Sequence, residues 1–190
     1  MNNSENIIAV VLCGGESKRM GQDKGLIPID NITWSEHMAK KLTANGLPAV
    51  ISINSSQRDS YLNIFPVDSL IEDKADVKGP LRGLLSAHEK FPEKDILLLG
   101  CDLIDMDAAT LKALINIYIT EDSYEYYTYM ESDFAETLCS IYTSKALKQV
   151  ADKVRLHQLE KFSLHGLLDS GKTKRIPVKD RSSFRNYNQL

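Results

Sequence analysis

Two adjoining stretches decide the fold: Ile7-Ile8-Ala9-Val10-Val11-Leu12, and the segment Cys13-Gly14-Gly15-Glu16-Ser17-Lys18-Arg19-Met20-Gly21-Gln22-Asp23-Lys24 that follows it. The first is a continuous, mostly β-branched apolar run, the pattern of a strand covered on both faces within a parallel sheet. It breaks abruptly into glycine and charge, so the second stretch reads as a loop at the carboxyl end of that strand. Ligands of open parallel sheets sit there. Glycines without Cβ let backbone N–H groups approach a phosphate closely, and Lys and Arg in the same loop neutralise a polyphosphate. By composition the loop is a phosphate cradle. It is neither G-x-G-x-x-G nor G-x-x-x-x-G-K-[ST], because Gly15 to Gly21 has the wrong spacing and Gln22 stands where Lys is required. Hydride transfer and P-loop hydrolysis lose support accordingly.

Working outward, Thr33-Trp34-Ser35-Glu36 has capping-box spacing and predicts a helix through Leu42 that stops near Asn45-Gly46. Ala49 to Ile53 reads as a second strand, and Val67 to Ile71 as a third, leading into Glu72-Asp73-Lys74. A helix from about Pro80 to Lys90 follows, with Pro in its first turn. Ile96 to Leu99 is the most apolar strand, and Gly100-Cys101-Asp102 sets a carboxylate at its end before a helix from about Ala108 to Ile119. Tyr124 to Tyr129 and Thr137 to Tyr142 then read as strands with no helix between them, an antiparallel pair at one side of the sheet. Helical stretches over Lys145–Leu159 and Leu164–Leu168 precede a last strand near Arg175 to Val178. The expectation is one domain over 1–190 with an α/β fold: a three-layer Rossmann-like sandwich, mostly parallel, with an antiparallel edge.

Composition narrows the function classes. The 190 residues are 43% hydrophobic and 26% charged, near globular averages, and 23 Lys+Arg against 26 Asp+Glu give a net charge of −3. No global positive field exists to hold a nucleic acid. Three scattered cysteines, Cys13, Cys101 and Cys139, make neither a disulfide framework nor a Cys-x-x-Cys zinc pair, and the four histidines lack metal-binding spacing. The apolar run from Ile7 to Cys13 is about a third of the roughly 20 residues a membrane-crossing helix needs. These readings predict a soluble, cytoplasmic protein without nucleic-acid or membrane partners.

The segment Leu12-Cys13-Gly14-Gly15-Glu16-Ser17-Lys18-Arg19-Met20-Gly21-Gln22-Asp23-Lys24 resembles the L-A-G-G-x-S-x-R-M-G-x-D-K signature of the molybdenum cofactor guanylyltransferases, within the nucleotidyltransferase superfamily, with Cys13 in place of the usual Ala. The resemblance continues through Ile53-Asn54, Ile71-Glu72-Asp73, Gly79-Pro80-Leu81-x-Gly83-Leu84 and Cys101-Asp102, in the same order along the chain. Glu136 to Tyr142 resembles the family's E-P-L-x-A-x-Y strand with Thr137 for Pro, and Asn186-Tyr187-Asn188 its N-x-N-T-P segment. The family usually continues past the position of Leu190 into a short helix, so a shortened C-terminus is expected.

The resemblance implies transfer of GMP from GTP to the phosphate of molybdopterin, with release of pyrophosphate. An anionic phosphate attacking a triphosphate needs alignment and charge neutralisation above all. Asp102, a hard oxygen ligand at a strand tip, is the expected Mg²⁺ ligand. Arg19 and Lys24 are expected on the phosphates with Asp23 orienting them, and Leu12, Cys13, Gly14, Gly15, Asn54 and Asp73 around the guanine nucleotide. Asn186 and Asn188 suit contacts to the second substrate. Molybdenum cofactor delivery proteins are the expected protein partners.

Blander readings stand beside these. Asp102 in isolation also suits a helix N-cap, Glu72-Asp73 and Asn54 a solvated turn, and Gly79-Pro80 a helix start that shapes the pocket wall. The Tyr-rich run reads as sheet packing, and Cys101 as a small buried residue rather than a nucleophile. A CMP-transferring relative, another phosphate acceptor, or a non-catalytic nucleotide- or cofactor-binding partner in cofactor delivery are the alternatives in function.

Overall fold

The computed structural model describes residues 6–14, 22–158 and 163–187. Gly15, Arg19 and Asn188 therefore lie outside the described residues. The first strand, β1 (Ile7–Leu12), is the predicted run and lies in the interior of the sheet. Its apolar side chains divide by parity: Ile7, Ala9 and Val11 join one core, Ile8 and Val10 the other. That two-sided burial explains why the run does not alternate with polar residues.

A short hairpin, β2 (Pro28–Ile29) and β3 (Ile32–Thr33), turns through Asp30 and Asn31, both at positive φ. Helix α1 (Trp34–Ala44) starts at the predicted capping box, where Glu36 N–H donates to Thr33 Oγ1 at 3.3 Å and Thr33 N–H donates to the Glu36 carboxylate at 2.8 Å. Strand β4 (Ala49–Ile53) leads to helix α2 (Arg58–Leu62), and β5 (Leu70–Glu72) follows. The predicted third strand loses its first residues, because Val67–Ser69 wind into a 3-10 turn after Pro66. Next come α3 (Pro80–Lys90), β6 (Asp95–Gly100) and α4 (Ala108–Thr120). The chain closes with β7 (Tyr126–Glu131), β8 (Phe134–Tyr142), α5 (Ser144–Arg155), α6 (Leu164–Ser170) and β9 (Thr173–Pro177).

The main sheet has seven strands in the order β5-β4-β1-β6-β8-β7-β9. Strands β5, β4, β1 and β6 are mutually parallel, β8 runs antiparallel to both neighbours, and β9 pairs parallel with β7. The expected antiparallel β7–β8 pair thus forms, with β8 lying inside the sheet and β9 covering the pair at the edge. Helices α1 and α4 pack one face through Met38, Leu42, Leu111 and Leu114. Helices α3, α5 and α6 pack the other through Leu81, Leu84, Leu147 and Leu167. The molecule is the three-layer α/β sandwich of the sequence reading.

The tyrosines of the 124–129 run serve packing. Tyr126, Tyr127 and Tyr129 are buried, and Tyr126 meets Tyr142 edge to face with ring centroids 5.6 Å apart.

Strand order fixes where a ligand can enter. From β1 the chain moves to β4 and β5 on one side, then returns to β6 on the other. The crevice beyond the carboxyl ends of β1 and β6 is the topological switch point, the place where open α/β sheets bind ligands.

Candidate active site

Three parallel strands deliver the predicted residues to that crevice. β1 ends at Leu12 and hands on Cys13 and Gly14, β4 hands on Asn54, and β6 hands on Cys101 and Asp102. β5, at the sheet edge, adds Asp73. Lys24, in a 3-10 turn over Lys24–Leu26, reaches across so that its Nζ donates to Asp102 Oδ2 at 2.8 Å. Their side chains are only 17% and 11% exposed, so this ion pair is shielded from screening by water and salt. Asp102 does not cap the next helix: Asp107 does, accepting from Thr110 N–H at 2.7 Å. Bonds from Ser183 and Thr110 hold the Asp107 carboxyl at about 2 despite the opposing effect of burial, the largest single influence on it. The N-cap reading of Asp102 therefore falls.

Asp73 stands at the side of the site. Ser52 Oγ donates to its Oδ1 at 2.6 Å, and burial raises its carboxyl to about 6 against the opposing effects of Ser52 and Arg82. Gly14 is required next to it, because a Cβ on Gly14 would sit 2.0 Å from Asp73 Oδ2. Both the Cys13 and Gly14 N–H groups donate to the Ser52 carbonyl, at 2.9 and 3.0 Å. Those two amides are thus committed to the junction of β1 and β4. The Cys13 thiol is buried, and burial together with the neighbouring Cys101 pushes its pKa up, which keeps it a neutral packing group rather than a thiolate.

Asn54 caps a 3-10 turn over Ser55–Gln57, its Oδ1 accepting from Ser56 Oγ at 2.6 Å. Asn186 is exposed, and its neighbour Tyr187 donates to Asp105 at 2.8 Å and meets Trp34 edge-on with centroids 6.1 Å apart. The C-terminal segment is thereby held against the loop that follows Asp102.

Sequence reasoning overlooked Gln57 and Tyr61. The Gln57 amide donates to Asp23 Oδ2 at 2.6 Å and to the Cys13 carbonyl at 3.1 Å, and Tyr61 OH donates to Asp23 Oδ1 at 3.1 Å. The spacing Asn54-x-x-Gln57 does carry a capping-box signal for the local turn. Nothing local announces its reach to residues 34 and 44 positions away.

As a metal site, the arrangement offers one carboxylate at the switch point. Among the described residues no group of three or more His, Cys, Asp or Glu side chains is placed to hold an ion. A lone strand-tip aspartate fits Mg²⁺, which keeps several waters and is typically bound through one or two carboxylates plus substrate phosphates. No helix of the described residues is long and apolar enough to cross a membrane.

Residues 9–167 match the MobA-like NTP transferase domain, so the chain belongs to that family of nucleotidyltransferases. A probable molybdenum cofactor guanylyltransferase of Flavobacterium johnsoniae is 24% identical over 98% of this chain and 97% of its own. A molybdenum cofactor biosynthesis bifunctional protein of Synechocystis is 28% identical over 80% of this chain, which spans 44% of that protein. Among solved structures, molybdopterin-guanine dinucleotide biosynthesis protein A of Archaeoglobus fulgidus has the same fold, with a TM-score of 0.76 and 18% identity over 96% of this chain and 92% of that one.

Proposed function

We propose that this member of the MobA-like NTP transferase family transfers GMP from GTP to the phosphate of molybdopterin. An oxygen of the molybdopterin phosphate forms a bond to the α-phosphorus of GTP. The bond from that phosphorus to the α–β bridging oxygen breaks, and pyrophosphate leaves with the electron pair. The observation that carries this reading is the Lys24–Asp102 pair, 2.8 Å apart at the switch point of the sheet.

The chain's tasks follow from the charges involved. Lys24, with Arg19 of the same sequence motif, neutralises the triphosphate and the charge that builds on the departing pyrophosphate. Leu12, Cys13, Gly14, Asn54 and Asp73, with Gly15 next in the motif, are the residues we assign to the nucleotide, where hydrogen bonds that other bases leave unpaired give selectivity for guanine. Asn186 and Asn188 meet the second substrate. Asp102 would hold Mg²⁺, which would supply positive charge to offset that of the triphosphate. Lys24 Nζ donates to one oxygen of that carboxylate, within reach of phosphates that Asp102 would help to hold.

The test is pyrophosphate release by the purified protein with Mg²⁺ and molybdopterin, comparing GTP, CTP and ATP, with Asp102→Ala as control. Release with GTP that is lost in the variant supports the reading. Release with CTP keeps the mechanism and moves the substrate. Binding of GTP and cofactor with no release from any nucleotide overturns catalysis in favour of a binding partner.

A further inference from the structure

We propose that Gln57 is a positioning residue for Lys24: one side chain ties together both ends of the segment between Cys13 and Asp23 and so sets where the Lys24 ammonium stands. The inference rests on the nucleotidyl-transfer reading for its catalytic consequence, and on geometry alone for the tie itself.

The Gln57 amide is fully used. Its Oε1 accepts from Asn54 N–H at 2.8 Å, and its Nε2 donates to Asp23 Oδ2 at 2.6 Å and to the Cys13 carbonyl at 3.1 Å. Only one orientation of the amide satisfies these partners, because Asn54 N–H requires an acceptor while a carbonyl and a carboxylate require donors. The side chain therefore has no alternative position of equal energy. It connects the end of β1, the start of the turn after β4, and the residue before Lys24.

The load passes through Asp23. Its Oδ2 is held by Gln57, and its Oδ1 accepts from Tyr61 OH at 3.1 Å and from Gly25 N–H at 2.9 Å, capping the turn that carries Lys24. Gly25 is seated tightly, since a Cβ there would lie 2.0 Å from Tyr61 OH and 3.0 Å from Cys13 Sγ. Lys24, fixed between Asp23 and Gly25, then has its ammonium at Asp102 Oδ2. A long, flexible lysine acts as a point charge, so the accuracy of its placement comes from where its backbone is anchored. Displacing a charge-stabilising group by about an ångström costs on the order of 10²-fold in rate.

The decisive variant is Gln57→Met, which keeps length and volume but makes none of the three hydrogen bonds. Two readouts are needed. The first is amide hydrogen exchange at Lys24 and Gly25 in the nucleotide-free protein, which requires no reaction; acceleration of about tenfold or more, with the thermal midpoint little changed, supports the tie. The second is pyrophosphate release, where kcat falls by about 10² while KM for the nucleotide changes less than threefold. In a Lys24→Ala background the same substitution has almost no further effect on kcat, because its route through Lys24 is already gone. Tyr61→Phe, which removes one of two donors to the same Asp23 oxygen, shows a smaller change in both readouts.

Unchanged exchange at Lys24 and Gly25 in Gln57→Met overturns the tie. Accelerated exchange with wild-type kcat, or full additivity with Lys24→Ala, overturns the positioning role. If the wild-type protein releases no pyrophosphate from any nucleotide, the functional reading fails and the exchange result still decides the tie.

Discussion

Strand β6 carries an aspartate at each end, alike in residue type and depth and unlike in everything else. Asp95 opens the strand and is 7% exposed, whereas Asp102 lies just past its end and is 8% exposed. Asp95 accepts from neutral donors, Tyr118 OH at 2.6 Å and Ser144 N–H at 2.7 Å, which fasten α4 and the start of α5 to the strand. Asp102 instead accepts from an ammonium delivered by a loop 78 residues away in sequence. Two neutral donors on rigid helices make a fixed joint. A cation on a long side chain, at the carboxyl end of a central parallel strand, is a partner that another cation can replace. Burial does not distinguish the two carboxylates; the partner and the end of the strand do.

The largest effect that sharpens this contrast is in Asp102→Ala. Pyrophosphate release should fall by about 10³-fold or more if Asp102 is the Mg²⁺ ligand proposed above. The thermal midpoint should move less than in Asp95→Ala, because the Lys24 ammonium left behind sits on a long, partly exposed stem that can turn to water. Asp95→Ala should behave in the opposite way. It strands the Tyr118 hydroxyl and the Ser144 N–H, so urea unfolding should show a loss of about 2–4 kcal/mol, while kcat per folded molecule stays within about threefold of wild type. A large loss of turnover in Asp95→Ala without loss of stability, or collapse of the fold in Asp102→Ala, would break the distinction.

The same contrast explains what was legible in the sequence. Elements specified by local physics were readable: the two-faced run of β1, the Thr33–Glu36 capping box, Ala49–Ile53, and Pro80 at the start of α3. The β2–β3 hairpin escaped because its two-residue strands have no period, although Asp30-Asn31 at positive φ is a hairpin-turn pair. Helix α2 escaped because five residues show no helical repeat. In the candidate site, motif chemistry singled out Asp102 and Lys24, which the structure brings together. The bond between them, and the reach of Gln57 and Tyr61 to Asp23, arise from chain return across the sheet, which no local spacing encodes.

A smaller effect concerns Asp73, the carboxylate beside Gly14. Its folded pKa of about 6 lies above the ordinary 3.8, with burial as the main cause. A carboxyl raised on folding contributes stability that is present below the unfolded value and lost as pH rises through the folded one. Between about pH 4 and 6 the wild type should therefore lose stability that Asp73→Asn does not, a difference on the order of 2 kcal/mol across the window. Asn retains an acceptor for Ser52 Oγ. Urea unfolding of both proteins at several pH values checks this, and parallel curves would remove Asp73 from the set of burial-strained groups.

The smallest expected effect belongs to His88, in the last turn of α3. It is 6% exposed, its Nδ1 has no hydrogen-bond partner among the described residues, and burial is the main cause of its lowered pKa, with Glu93 and Glu89 opposing. Here the folded pKa lies below the unfolded 6.5, so the unfolded chain takes up the proton first and stability falls as pH drops below about 6.5. His88→Met should flatten that acid limb, without altering kcat. Its sign is opposite to that of Asp73 in an overlapping range. The wild-type profile can therefore look flat while hiding both slopes. Asp73→Asn should then make acidification more destabilising than in wild type, and His88→Met less so. If both variants tilt the profile the same way, one of the two groups is not held in the protonation state that its burial dictates.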